Sequence, residues 1–189
     1  IMQEMTARHR SAMEPVKRVR YKFFNKSRVS KDDKMRVANM LVLSRELFGA
    51  GAWPILSVSE ERRVHSNLSG LFRMVLDESF AVCEGDMITD ADLYNVYDLR
   101  PPLAFMRFAR LRLSVCIVNK ATDELLTILH AARSDGRSWL KALLSDVDWL
   151  AQISIDCTFT PAEWFGLCRA DPKAARRLVR KAVESDKAR

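Results

Sequence analysis

Three histidines, His9, His65 and His130, and two adjacent acidic pairs, Asp32-Asp33 and Glu60-Glu61, are the residues of this chain best suited to moving protons or holding a cation. Acid–base or nucleophilic catalysis needs a nucleophile, a base and a group that orients the base, converging within hydrogen-bond reach. The three histidines fall in separate helical stretches, each reading as a surface or half-buried residue, and no dyad can be built from them. The acidic pairs sit where helices open, and the helix dipole stabilises negative charge there without any metal. Cys83, Cys116, Cys157 and Cys168 stand far apart, in or beside apolar stretches, with no C-x-x-C pair and no His at ligand spacing. They read as reduced core thiols, which points to a reducing compartment, cytoplasm or nucleus. Glycine-rich phosphate loops of the mononucleotide and dinucleotide types are absent. The sequence thus assembles no active site, no metal site and no cofactor site.

The chemistry left is electrostatic. The formal net charge is +7, and it is unevenly spread. Residues 1–37 carry eleven Lys or Arg against four Asp or Glu, and residues 172–189 carry seven against two, so the middle of the chain is net acidic. Basic ends of this kind attract polyanions, of which RNA and DNA are the commonest inside cells. In the first of them, Lys17, Arg18, Arg20, Lys22, Lys26, Arg28, Lys31 and Lys34 are candidate phosphate contacts.

The elements that must position these cations read as helices. With 6 Gly and 6 Pro in 189 residues and 48% hydrophobic content, the chain has the composition of an all-α protein, a multi-helix bundle with little or no sheet. Residues 2–24 form a basic helix in which Pro15 should cause a kink or a restart, because proline lacks the amide donor and crowds the preceding turn. Ser30 with Asp33, Ser57 with Glu60, Thr89 with Asp92 and Thr160 with Glu163 have capping-box spacing, and Thr122 and Asp171 open two further helices. Gly49 stops the second helix, and Leu41, Leu47, Trp53, Leu68 and Phe72 are expected to be buried together. Residues 102–119 form a long helix whose inner side is read as Leu103, Met106, Ala109, Leu113, Cys116 and Ile117, with Arg107, Arg110 and Arg112 on its other faces. Only 153–159 hints at period-two alternation. Soft boundaries fall at 77–88 and 133–137. No run approaches the roughly 18 to 20 apolar residues of a membrane span, and the N-terminus lacks the apolar segment of a signal peptide. Because the chain opens on Ile1 inside a helical pattern, it is expected to be a piece of a longer protein.

The order of these features resembles one family. A basic helix is followed by Ser30-Lys31-Asp32-Asp33-Lys34, by Leu41-Val42-Leu43-Ser44, by Leu47-Phe48-Gly49-Ala50-Gly51-Ala52-Trp53-Pro54, and by a helix ending in Leu71-Phe72-Arg73-Met74-Val75-Leu76. This is similar to the region that follows the catalytic palm in reverse transcriptases of non-LTR retrotransposons, and the likeness extends over residues 1–150. Phe48, Gly49, Trp53 and Pro54 carry its most specific part. Two departures stand out, Phe48 where the family has Tyr and Gly51 where it often has an acidic residue. The resemblance implies a thumb-like basic region at 1–76 and a connecting helical region at 77–189 that ends in a basic helix. It also implies a grip on RNA–DNA or DNA duplex through phosphate contacts, with the palm, its Mg²⁺ ions and the fingers lying upstream of these residues. From the residues alone, a second reading stays open: a stand-alone helical scaffold that binds a protein partner without catalysis.

Overall fold

The computed structural model describes residues 1–76, 89–97, 99–153 and 160–187. All regular structure among the described residues is helical, with no strand. The loop expected at 77–88, all but Ile153 of the alternation read at 153–159, Cys83, Cys157 and the His130 side chain lie outside them. The chain forms two compact units: Ile1–Phe48 with Ser57–Pro102, and Gly49–Leu56 with Leu103–Arg189.

In the first unit, helix α1 (Met2–Val19) is continuous through Pro15 and goes on as a π-helical turn, Arg20–Phe24. Of the kink or restart expected there, the restart does not occur. Pro15 leaves the carbonyl of Ser11, four residues back, without its helical donor, and Arg45 Nη1 supplies one at 3.3 Å. Helix α2 (Lys31–Ala38) opens on Ser30, whose hydroxyl accepts from the Asp33 amide at 3.1 Å. A second π-helical turn, Asn39–Leu43, links it to the short α3 (Ser44–Glu46), and Gly49, in the left-handed region at φ 70°, stops the run as expected. The inward positions of this stretch recur every four residues at Lys34, Ala38, Val42 and Glu46. Leu41, expected inside, is therefore only half-buried, and two charged residues take part in the buried stripe. Helix α4 (Val58–Leu76) carries the central apolar face, with Val64, Leu68, Leu71, Phe72 and Val75 buried, and α1 and α2 pack on it. Helix α5 (Asp90–Val96) starts on the Thr89–Asp92 capping box, and its Asp90 receives a 2.8 Å bond from the buried Arg73 guanidinium.

The second unit begins with the eight residues Gly49–Leu56, opened by the αL glycine. Ala50, Gly51, Trp53 and Leu56 are buried there, so Trp53 belongs to a different core from Leu68 and Phe72. Gly51 lies so close to helix α6 (Pro102–Lys120) that a Cβ would come within 2.7 Å of the Ala109 carbonyl oxygen, and its own carbonyl accepts from Trp139 Nε1 at 2.6 Å. Helices α7 (Asp123–Ala131), α8 (Trp139–Ile153), α9 (Pro161–Ala170) and α10 (Pro172–Lys187) follow. The core joins Leu111 and Val115 of α6, Leu143, Val147 and Leu150 of α8, Trp164 and Cys168 of α9, and Ala175 and Val179 of α10. Burial pushes the Cys168 thiol up to about 12, as suits a core cysteine, whereas Cys116 is exposed.

The face of α6 differs from the one expected. Ala104, Met106, Arg110, Leu111, Ser114 and Val115 are buried, while Leu103, Ala109, Leu113 and Ile117 are only partly covered. Its apolar residues are spread around the circumference, so periodicity did not select a face; a charge pairing does. Arg110 is 3% exposed and donates to Asp146 of α8 at 2.6 Å, and Arg107 approaches the same carboxylate at 3.6 Å. Burial raises the Asp146 carboxyl above its usual value, and the two guanidiniums oppose that shift.

Removing one side of such a pair strands a buried charge. Asp146→Ala is expected to lower the unfolding free energy by about 3–5 kcal/mol, and Arg110→Met with Asp146→Leu by much less, both read from urea titration. Gly51→Ala should cost about 1–3 kcal/mol because its Cβ meets backbone. Gly166→Ala in α9, where nothing lies within 4 Å, should gain about 0.4–1 kcal/mol.

Candidate nucleic-acid interface

The candidate phosphate contacts lie along one continuous piece of the first unit. Lys17 and Arg18 are exposed in the last turn of α1, and Arg20 and Lys22 stand in the π-helical turn. This turn is closed by the Asn25 amide donating to the Arg20 carbonyl at 2.8 Å. It puts Phe24 fully inside, edge-on to Phe23 with ring centroids 5.5 Å apart, and leaves Tyr21 and Lys22 in solvent. Lys26 and Arg28 are exposed in the connection to α2, which the Val29 amide tightens by donating to the Lys26 carbonyl at 3.2 Å.

The eight cations are not equivalent. Arg18 donates to Glu14 at 2.9 Å on an open surface, a pairing of small energetic weight. Lys31 is held against Tyr97, donating to its hydroxyl at 2.9 Å with its ammonium 5.0 Å from the ring centroid. Lys34 is buried and so is not presented to a polyanion. Arg20 is half-buried. Lys17, Lys22, Lys26 and Arg28 are exposed and make no ion pair among the described residues. From Pro15 to Lys31 the sequence holds seven Lys or Arg and no Asp or Glu, so this strip has no internal counter-charge beyond Glu14 at its border. Tyr21, 73% exposed, adds a ring on which a base can stack.

Three contacts seat the helix that leads into the strip. The Arg8 guanidinium lies 5.3 Å from the Phe48 ring centroid, Arg45 caps the Ser11 carbonyl, and His9 Nδ1 comes within 3.4 Å of the buried Glu46 carboxylate, which also accepts from Asn67 Nδ2 at 3.1 Å. Phe48 itself is exposed, and Gly49 makes the left-handed stop. Trp53 is buried and Pro54 half-buried in the second unit. The four residues that carried the family resemblance are thus split between a surface, a turn and another core. The approach of Gly51 to Ala109 leaves no room for the acidic side chain the family often has at that position.

Asp32-Asp33 and Glu60-Glu61 stand in first helical turns, as their spacing indicated, and Glu60 accepts from the Ser57 amide at 2.7 Å. His65 packs edge-on to Tyr94 at 6.1 Å. Among the described residues, no three His, Cys, Asp or Glu side chains are grouped to hold a metal ion, and no helix is long and apolar enough to cross a membrane. No family model, curated protein or solved structure matches the chain.

Glu46 has a measurable signature. Burial raises its carboxyl above the ordinary value of 4.5, against the pull of His9 and Asn67. The folded state therefore holds this proton more tightly than the unfolded chain does. Its contribution to stability is complete below the ordinary carboxylate range and is lost as pH rises through the raised value. Glu46→Gln keeps an acceptor for Asn67 without the charge. The stability of the native chain minus that of the variant, from urea midpoints at successive pH values, should fall as pH rises above 4.5; a flat difference would show that the group titrates normally.

Proposed function

We propose that this chain is the thumb-like, nucleic-acid-gripping part of a reverse transcriptase of a non-LTR retrotransposon, acting by phosphate contacts rather than by catalysis of its own. The observation that carries the binding reading is the exposed strip around Lys17, Lys22, Lys26 and Arg28, without an acidic residue between Pro15 and Lys31. A thumb has to hold a duplex while letting it move past. Contacts to the uniform phosphate backbone do this, whereas base-specific hydrogen bonds would pin one register. The π-helical turn at the centre of the strip is of a kind frequently found at functional sites. The polymerase assignment itself comes from the residue order at 30–54 and 71–76, and the Mg²⁺-dependent chemistry it implies belongs to the palm of the parent enzyme.

Binding should weaken linearly in the logarithm of salt concentration, each neutralised phosphate adding about 0.7 to 0.9 to the slope. Replacing Lys17, Lys22, Lys26 and Arg28 together by Ala should flatten that slope for an RNA–DNA hybrid by about 3 to 4 units and reduce affinity alike for unrelated sequences. An unchanged slope would favour the scaffold reading, in which the same cations only solvate a surface.

A further inference from the structure

The second unit carries basic charge that the first-unit strip does not explain. Helix α10 places Lys173, Arg176, Arg177, Arg180 and Lys181 on one stripe, at spacings of three and four residues, all exposed. Its opposite side, Ala175, Val179, Ala182 and Val183, is buried in the core. No Asp or Glu occurs from Pro172 to Val183.

Helix α6 also lacks any acidic residue. Asp146 takes up Arg107 and Arg110 on its inner side. Arg112, Cys116 and Lys120 recur every four residues on its outer side, and all three are exposed. The two stripes meet, since Arg176 Nη2 lies 4.0 Å from Cys116 Sγ, with Arg112 and Lys120 one turn to either side of that cysteine. The two stripes adjoin at that contact, and none of their seven cations makes an ion pair among the described residues.

We infer that this α6–α10 ridge is a second site for the phosphate backbone of a nucleic acid, able to act without the strip at residues 17–28. Eight residues of helix span about 12 Å, and that length of duplex axis carries about seven phosphates on its two strands. An anionic membrane is the other large polyanion. An amphipathic helix binds a membrane by burying its apolar face in the lipid, and the apolar face of α10 is already used by the core. None of the large exposed apolar side chains lies on α10 or on the outer stripe of α6.

The test uses the whole chain and a 20-base-pair RNA–DNA hybrid, with the salt slope read by fluorescence anisotropy. Arg176→Gln, Arg177→Gln and Arg180→Gln together should flatten the slope by about 2 to 2.7 units, both in the native chain and in the variant lacking the first-unit cations. A control triple, Arg62→Gln, Arg63→Gln and Lys141→Gln, removes equal charge from elsewhere and should change it by less than half as much. Circular dichroism checks that each variant keeps its helix content. No response in the α10 triple, or an equal response in the control, overturns the inference, as does tighter binding to phosphatidylserine vesicles than to the hybrid at the same salt. Since the two sets of substitutions are read separately, failure of the ridge and failure of the first-unit strip are distinguishable.

Discussion

The buried carboxylate of Asp146 is the interaction on which the second unit depends. Helix α6 brings four cations and no anion, and its apolar residues are spread around its circumference, so hydrophobic burial alone leaves its rotation open. An unpaired guanidinium in a protein interior is strongly unfavourable. Asp146, supplied by α8, makes one orientation acceptable, in which Arg110 and Arg107 turn inward to the same carboxylate. Arg112 lies two residues on, about 200° around the helix from Arg110, and is thereby turned to solvent with Cys116 and Lys120. One buried charge pair thus fixes which cations are structural and which are presented outward.

The first unit solves a related problem with weaker contacts. Its long basic helix contains a proline, and the carbonyl that the proline strands is met by Arg45 from α3 rather than by a break in the helix. Arg8 on Phe48 and His9 beside Glu46 join the same helix, α1, to α3 and the turn that follows it. Held this way, α1 runs unbroken into the π-helical turn, where the core takes Phe24 and solvent takes Tyr21 and Lys22. The exposure of the strip is a result of this seating as well as of its composition.

Helix starts were legible in the sequence because a cap is a local event. Ser30, Thr89 and Thr160 each meet a backbone amide three residues on, and no distant residue is needed. The exposed strip was legible for a similar reason, since a stretch without acids shows in composition. What could not be read depends on partners far away in the chain. Lys34 and Glu46 fall on an inward stripe although their types argue for the surface. Pro15 is tolerated because of a residue thirty positions later. The α6–α10 ridge needs the contact between Arg176 and Cys116, which no periodicity announces.

The path of the chain bears on how the molecule can be made. Gly49–Leu56 belongs with Leu103–Arg189, yet Ser57–Pro102 of the other unit comes between them in sequence. Neither unit is one uninterrupted stretch, so no single cleavage yields both intact. On the ribosome, Trp53 emerges long before Trp139, whose indole will bond the neighbouring Gly51 carbonyl. Until α6 and α8 have been synthesised, this short apolar piece has no core to enter, and closing the long intervening loop carries an entropic cost. Completion of the second unit therefore waits on α6 and α8, and a nascent chain stalled before α6 would expose Trp53 and Leu56 to whatever chaperone or neighbour is at hand.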